Sequence, residues 1–446
     1  MSAVGQAAAS PGTFAKETLM NPLRTNRRRF LLTTTAIGAT TLSSRTDSVL
    51  GANDRIQVGI IGVGGKGMDH LNWFKRNLQA ENVRVAAVCD VYNRRVRRAA
   101  EASGAESFTD YRKLLEKKDL DAVFVVTPDH WHAKISIEAL EAGKHVYCEK
   151  PMTLTAEEAI KVRDAVRRHS RVFQVGPNGT ARDKYWKSQQ AIREGRVGKV
   201  TWGQASVNRN IRGCAFNVWF PIDKTAGPDK GGDDYVNWEM WLGHEWGLAP
   251  RIPWNPEHFF RFRKYWPYNG GVATDLIYHA LAPMLLAIAG DNGEYPKRVN
   301  ASGGLYLEKD GRDIPDVFMM SVDYPSEFSL NLVSVLTNDT NVPTRIYGRY
   351  GTIDLTEDEP RMEGNGDYVS EFEEHNNGYK QVTLPVTKRK DLQGNFLDVI
   401  RGNGKLCCNV NLGASTMVAI KLAVESYRQN RTMLWDSAKE TVAAGS

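Results

Sequence analysis

The sequence predicts an α/β protein of two domains, a doubly wound parallel sheet first and then an α/β domain whose sheet is open and largely antiparallel. Three observations carry this. An apolar run breaks into glycines at Ile56 to Gly67, strands and helices then alternate as far as Val175, and from Arg298 several strands follow one another without long helices between them. Alternation of that kind builds a parallel sheet covered on both faces, whereas consecutive strands pair antiparallel.

The run Ile56 to Gly67, IQVGIIGVGGKG, reads as a strand buried on both faces, with glycines at Gly62, Gly64, Gly65 and Gly67 opening the next helix. This is the strand-turn-helix context a dinucleotide needs. Gly62 permits the tight turn, Gly64 lets the backbone approach a pyrophosphate, and Gly67 lets helix and strand pack closely. A second strand, Arg84 to Asp90, ends in a carboxylate 28 residues after Gly62, about where a ribose-binding acid belongs. Asp90 predicts NAD, since a carboxylate repels a 2′-phosphate; the adjacent Arg94 and Arg95 keep NADP open.

A helix from Tyr92 to Ser103 and a short one from Tyr111 to Lys117 lead to the apolar strand Ala122 to Val126, which runs into Thr127-Pro128-Asp129-His130-Trp131-His132. The next helix ends at Gly143, and the strand His145 to Cys148 runs into Glu149-Lys150-Pro151. In a doubly wound sheet the loops at the strand C-termini carry the site. Helix Ala156 to His169 and strand Val172 to Val175 close the first domain, spanning residues 53–177.

The second domain, 178–446, opens with a helix from Lys184 to Gly195 and a strand from Val200 to Asn208. A long irregular stretch to Tyr268 holds Trp219, Trp238, Trp241, Trp246, Trp254 and Trp266, which either cover an interface or wall a pocket for a sugar's apolar face. Gly270-Gly271 then opens an apolar helix, Val272 to Ala289, which carries Asp275 and His279 four residues apart and therefore on one face. The strands Arg298 to Leu307, Val317 to Tyr324, Ser329 to Leu336, Thr344 to Leu355 and Gln381 to Val386 follow, and helices Asn395 to Arg401 and Gly413 to Arg428 end the chain.

Residues 1–52 read as a signal and linker. Asn26 to Leu31, NRRRFL, precedes a mildly apolar, acid-free segment to Ser44 and resembles a twin-arginine export signal. The periplasm and the twin-arginine machinery are the location and partner this predicts. No other run approaches the ~18 apolar residues that span a bilayer, so no membrane span is expected in the mature chain. The tail's six basic residues against two acids account for four of the six net positive charges, and nothing in the remainder argues for nucleic acid. Five cysteines, two of them adjacent, make no disulfide framework. That fits export of a protein folded in the reducing cytoplasm, where a dinucleotide is available for loading. His130 and His132 have no Cys/His cluster around them, and no metal site is read.

The glycine loop, Asp90, TPDHWH, Glu149-Lys150-Pro151 and Asp275-x-x-x-His279 together resemble the glucose-fructose oxidoreductase and inositol dehydrogenase (Gfo/Idh/MocA) family, from about Arg55 to the end of the chain. The segment Asn237 to Gly243, NWEMWLG, looks like the exported branch. The resemblance implies a Rossmann domain, a second α/β domain whose open sheet often builds homo-oligomer interfaces, and a sugar, cyclitol or glycoside bound between the domains. It further implies Lys150 beside the nicotinamide, His279 as acid/base on the reacting hydroxyl, Asp275 as its neighbour, and Thr127, Pro128, His132 and Glu149 around the cofactor. A helix-start histidine with no ligand is the alternative for His132, and a core histidine is the alternative for His279. Many relatives carry an acid three residues after the histidine, where this chain has Ala282, so the substrate does not carry over.

The reaction this implies is hydride transfer from a secondary hydroxyl to a tightly held nicotinamide cofactor. A redox-neutral, NAD-dependent cleavage of a glycoside is the runner-up, because no NAD pool outside the cytoplasm recycles the cofactor. Glycosidase relatives tend to lack the lysine that stands here as Lys150. A non-catalytic sugar-sensing protein is the third reading, against which Lys150, Asp275 and His279 stand together.

Overall fold

The computed structural model describes residues 54–444, so the twin-arginine reading lies outside the described residues. The first sheet contains β1 (Ile56–Ile61), β2 (Val83–Cys89), β3 (Glu106–Phe108), β4 (Ala122–Val125), β5 (His145–Cys148) and β6 (Phe173–Val175), all parallel, in the order β3-β2-β1-β4-β5-β6. Its helices are α1 (Gly65–Asn77), α2 (Asn93–Ser103), α3 (Tyr111–Leu115), α4 (Asp129–Glu141) and α5 (Ala156–His169). The strand order reverses between β1 and β4, and a ligand crevice forms outside such a switch point. Strand β3 is largely exposed and only three residues long, so its sequence carries no apolar run to announce it.

The second sheet has ten strands. After α6 (Asp183–Arg193) come β7 (Val200–Ser206) and three short helices, α7 (Ala215–Val218), α8 (Trp238–Leu242) and α9 (Pro256–Phe260); α10 (Gly271–Asp275) and α11 (Ile277–Ala289) follow. The remaining strands are β8 (Arg298–Gly304), β9 (Val317–Asp323), β10 (Ser329–Val335), β11 (Arg345–Gly348), β12 (Gly351–Asp354), β13 (Arg361–Gly364), β14 (Gln381–Thr383), β15 (Met433–Asp436) and β16 (Thr441–Ala444). Their order is β14-β13-β12-β11-β7-β10-β9-β8-β15-β16, and only β7 and β10 pair parallel. Helices α12 (Val369–His375), α13 (Leu392–Ile400) and α14 (Val410–Gln429) complete the set.

Three particulars depart from the sequence reading. The apolar helix after Gly270 is two helices, broken at Leu276, and His279 N donates to Leu276 O rather than to Asp275. The stretch Thr344 to Leu355 is a hairpin, β11 and β12, because Arg349 and Tyr350 turn the chain. Gly271–Ala289 is, against the sequence expectation, long and apolar enough to cross a membrane, yet 83% of its 18-residue apolar window is buried within the protein. It is apolar all round because α6, α14, β7 and β10 surround it.

The C-terminal segment returns to the first sheet. Leu392, Phe396 and Leu397 of α13 join Phe74, Phe124 and Tyr147 in one buried cluster, with the Phe124 and Tyr147 rings stacked at 4.4 Å. The tryptophan-rich stretch forms its own small core: Trp238 stacks on Trp241 at 4.8 Å, and both pack with Phe259 beside Tyr92 of the first domain. Main-chain hydrogen bonds from Asn93 N to Tyr235 O and from Asn237 N to Val91 O strap this segment across the end of β2.

Candidate active site

The glycine loop owes its path to contacts that a side chain would block. Gly62 has φ +90°, and a Cβ there would sit 2.5 Å from Val126 O; one on Gly67 would sit 2.0 Å from Gly62 O. Gly65 faces open space. No side chain caps α1 and no acid stands in its first turn, so its free N–H groups are left for an anion. Asp90, just past β2, accepts hydrogen bonds from Val63 N (2.9 Å) and Tyr92 N (3.1 Å), one on each oxygen. Each oxygen keeps a lone pair for a ribose hydroxyl. Arg94 is consumed by Asp223 and Asp234 of the tryptophan-rich stretch, whereas Arg95 lies beside Gly64 on the rings of Tyr92, Phe259 and Phe260, with no carboxylate in ion-pair reach among the described residues.

A cavity of about 480 Å³ runs from this loop to the second domain. Gly62, Gly64, Gly65, Gly67, Asp90, Thr127, Pro128, His132, Glu149, Lys150, Asp275 and His279 all line it. Phe220, Trp241, Phe259 and Phe260 form the opposite wall, so part of the tryptophan-rich stretch is a pocket wall and part a core. Trp241 is held by its carbonyl, which accepts from Trp131 Nε1 at 2.7 Å.

At the far end Lys150 Nζ donates to Asp275 O (2.7 Å) and Asp275 Oδ1 (3.0 Å), and Arg263 Nε donates to the same carboxylate oxygen at 2.9 Å. Burial alone would raise the Asp275 carboxyl, but Lys150 and Arg263 outweigh it and hold it well below the usual carboxylate range. Asp275 therefore clamps the lysine, and no hydrogen bond joins it to His279. Burial, reinforced by Lys150, pushes His279 down to about 3, so its imidazole is neutral. His132 spans the two strand-end loops, its Nδ1 2.7 Å from Pro151 O and its Nε2 2.8 Å from Thr127 O, so both ring nitrogens are engaged by the main chain. The Lys150–Pro151 peptide is cis.

Glu149 connects the two ends. It accepts from His70 Nε2 at 2.8 Å and from Lys150 N at 3.2 Å, and Lys66 Nζ lies 3.9 Å away. Burial would raise its carboxyl; the His70 hydrogen bond, with Lys66 and Lys150, holds it at about 2 instead. Thr127 Oγ1, buried in the cavity wall, has no hydrogen-bond partner among the described residues. An orphaned hydroxyl beside a glycine cradle and a ribose-ready carboxylate is a set of groups a nicotinamide dinucleotide would satisfy.

Residues 56–177 match the family model GFO_IDH_MocA, described as an oxidoreductase family with an NAD-binding Rossmann fold. These residues thus form an NAD-binding Rossmann domain. A glycosyl hydrolase family 109 protein of Shewanella baltica is 31% identical over 169 residues, 36% of each chain. An α-N-acetylgalactosaminidase of Shewanella oneidensis is 30% identical over 167 residues, 35% of this chain and 36% of that one. An uncharacterized oxidoreductase of Bacillus subtilis is 34% identical over 145 residues, 32% of this chain and 42% of that one. The matches thus span well under half of each relative's length. Among solved structures, the WlbA dehydrogenase of Bordetella pertussis in complex with NADH and UDP-GlcNAcA superposes with TM-score 0.60 at 16% identity, over 86% of this chain and 99% of that one. The aldose-aldose oxidoreductase of Caulobacter crescentus complexed with glycerol gives 0.60 at 18%, over 85% and 99%. At these identities the likeness is one of fold.

The fold brings to Lys150 two further charged residues that the sequence alone does not single out. Asp129 stands inside TPDHWH, so the motif itself was the available signal. Arg263 lies in a loop with no pattern around it, and only the packing of that loop puts it on Asp275.

Proposed function

We propose that this protein is an NAD-dependent dehydrogenase that removes hydride from a secondary hydroxyl of a sugar, cyclitol or glycoside and keeps its nucleotide through the cycle. The observation that carries the reading is the Lys150 ammonium, held by Asp275 in the same cavity as the glycine loop and His279. NAD supplies the hydride acceptor when bound; Gly62 to Gly67 and Asp90 would hold its pyrophosphate and ribose, and Thr127 and Glu149 lie along the wall toward Lys150. Lys150 would donate to the substrate oxygen and stabilise charge developing there, and His279, neutral beside it, would orient or accept from the hydroxyl. The aromatic wall from the second domain would exclude water and cover the apolar face of a ring.

The relatives named as glycosyl hydrolases and as an α-N-acetylgalactosaminidase favour a second reading, redox-neutral cleavage of a glycoside in which oxidation acidifies the neighbouring C–H before elimination and re-reduction. Export by the twin-arginine route with nucleotide already bound, a periplasmic location and a homo-oligomer belong to the same proposal; the NRRRFL segment supports the export. Incubating the purified protein, without added cofactor, with a panel of glycosides and reading products by mass spectrometry tests both chemistries. A keto-glycoside is the expected product. Free sugar and aglycone would establish the second reading, and no product from any glycoside would remove both.

A further inference from the structure

Four charged groups meet at the reacting end of the cavity, and they are not equally partnered. Asp275 takes both cations, Lys150 and Arg263, on one oxygen. Asp129, at the first turn of α4 and only 3% exposed, lines the same cavity with a single protein donor, Asn269 Nδ2, at 2.6 Å from its Oδ2. That amide is held in orientation, because Asn269 Oδ1 accepts from Gly271 N at 2.6 Å and so turns its NH₂ toward Asp129. Asp129 Oδ1 is left without a protein donor among the described residues.

We propose that Asp129 is the general acid/base of this site, holding the exchangeable proton on Oδ1 and passing it to and from the substrate oxygen. The assignment rests on the dehydrogenase reading above. In the oxidative direction the substrate O–H bond breaks and its proton goes to the Asp129 carboxylate, forming a carboxylic O–H. The freed electron pair becomes the second C–O bond, and the carbinol hydrogen leaves with its electron pair to the oxidised nicotinamide dinucleotide, the oxidant. Lys150 then needs no proton transfer of its own and serves as the fixed positive charge.

The surroundings support a proton on this residue. Burial raises the carboxyl, Arg263, the Asn269 amide and Lys150 lower it, Asp275 raises it, and the balance is about 7. The dipole of α4 favours the carboxylate as the cations do. Lys421 on α14 and the thiol of Cys148 on β5 are coupled to its charge, and His130 and His132 on its own helix are held neutral by burial. His279, at about 3, is a much weaker base, and acid/base help is most effective from a group that titrates near the working pH. Two neighbouring carboxylates whose environments push them apart divide the roles, one a fixed charge and one a proton carrier.

Infrared difference spectroscopy of the purified, nucleotide-loaded protein against Asp129→Asn, without substrate, reads the proton directly. A carboxylic C=O band that disappears as pH rises through about 7 is expected in the native protein and absent from the variant. Single-turnover oxidation should rise with pH over the same range, and Asp129→Asn should lose that limb and on the order of 10² to 10⁴ in rate while retaining its nucleotide. Asn269→Ala removes the one donor to Asp129 among the described residues and should move the limb to higher pH, a shift that a merely structural role would not produce; it serves if Asp129→Asn does not fold. No titrating band, native turnover with an unchanged pH profile in Asp129→Asn, or an unmoved limb in Asn269→Ala overturns the assignment. A titrating band with no ketone from any glycoside would instead remove the dehydrogenase reading and leave the proton on Asp129.

Discussion

The two ends of the cavity are built in opposite ways. The nucleotide end, Gly62 to Gly67 with Asp90, is made by one strand-turn-helix and the strand beside it, and the main chain takes part in each of its decisive contacts: a Gly67 Cβ would meet Gly62 O at 2.0 Å, and Val63 N donates to the Asp90 carboxylate. The reacting end takes Asp129 from the start of α4, Lys150 from the loop after β5, Arg263 and Asn269 from the segment before α10 and Asp275 from α10, and its contacts are made by side chains except where the Asp275 carbonyl also accepts from Lys150. The first is rigid because backbone geometry leaves no alternative. The second is a balance of charges in a low-dielectric setting, where moving one group changes the behaviour of the rest. Substitutions at the first should therefore act on the fold and the nucleotide, and substitutions at the second on rate and pH.

The strongest challenge to that contrast is Lys150→Ala. It should reduce single-turnover oxidation by on the order of 10² to 10⁴ while acid-denatured protein still releases its nucleotide, because Lys150 touches Asp275 and not the glycine loop. Loss of nucleotide along with rate would show that the two ends are not separable. Gly67→Ala comes next, with the opposite signature. The backbone must move, which should cost about 4 kcal/mol in denaturant unfolding and release the nucleotide. Gly65→Ala meets nothing within 4 Å and is the matched control, expected within about 0.5 kcal/mol of the native protein. Equal losses in the two variants would remove the backbone argument.

Glu149, the strut between the ends, gives a smaller effect than Gly67→Ala, and one confined to stability and its pH dependence. Its carboxyl is held at about 2 against an ordinary 4.5, so the folded state binds its proton less readily than the unfolded chain. The stabilisation it provides is complete above about 4.5 and is lost as the pH falls toward about 2, roughly 3 kcal/mol in all. Urea midpoints across that range should fall in the native protein and fall less in Glu149→Gln, which lacks the stabilisation at neutral pH as well. Parallel curves would place Glu149 outside the acid response.

What was legible in the sequence and what was not follow the same division. The glycine loop, Asp90 at the end of β2 and Lys150 at the end of β5 were readable because a buried strand, a glycine turn and a helix start are short-range patterns. The pairing of Asp275 with His279 was readable as spacing but not as contact. The break at Leu276 lies between them, and the carboxylate turns to Lys150, 125 residues away in the chain, and to Arg263. The same limit hid Asp129: its motif was visible, but nothing local says that the two cations will pair with Asp275 and leave Asp129 to Asn269.

The sequence by itself determined the parallel first sheet, the nucleotide cradle and which loops would carry chemistry, because those depend on periodicity and on the conformations glycine allows within a few residues. Only the tertiary structure decided which charges meet, which wall the tryptophan-rich stretch covers, and that α13 returns to the first sheet to pack Phe396 against Phe124 and Tyr147. Those outcomes depend on the packing of segments far apart in the chain, and a carboxylate's protonation depends on how deeply that packing buries it and what it brings alongside.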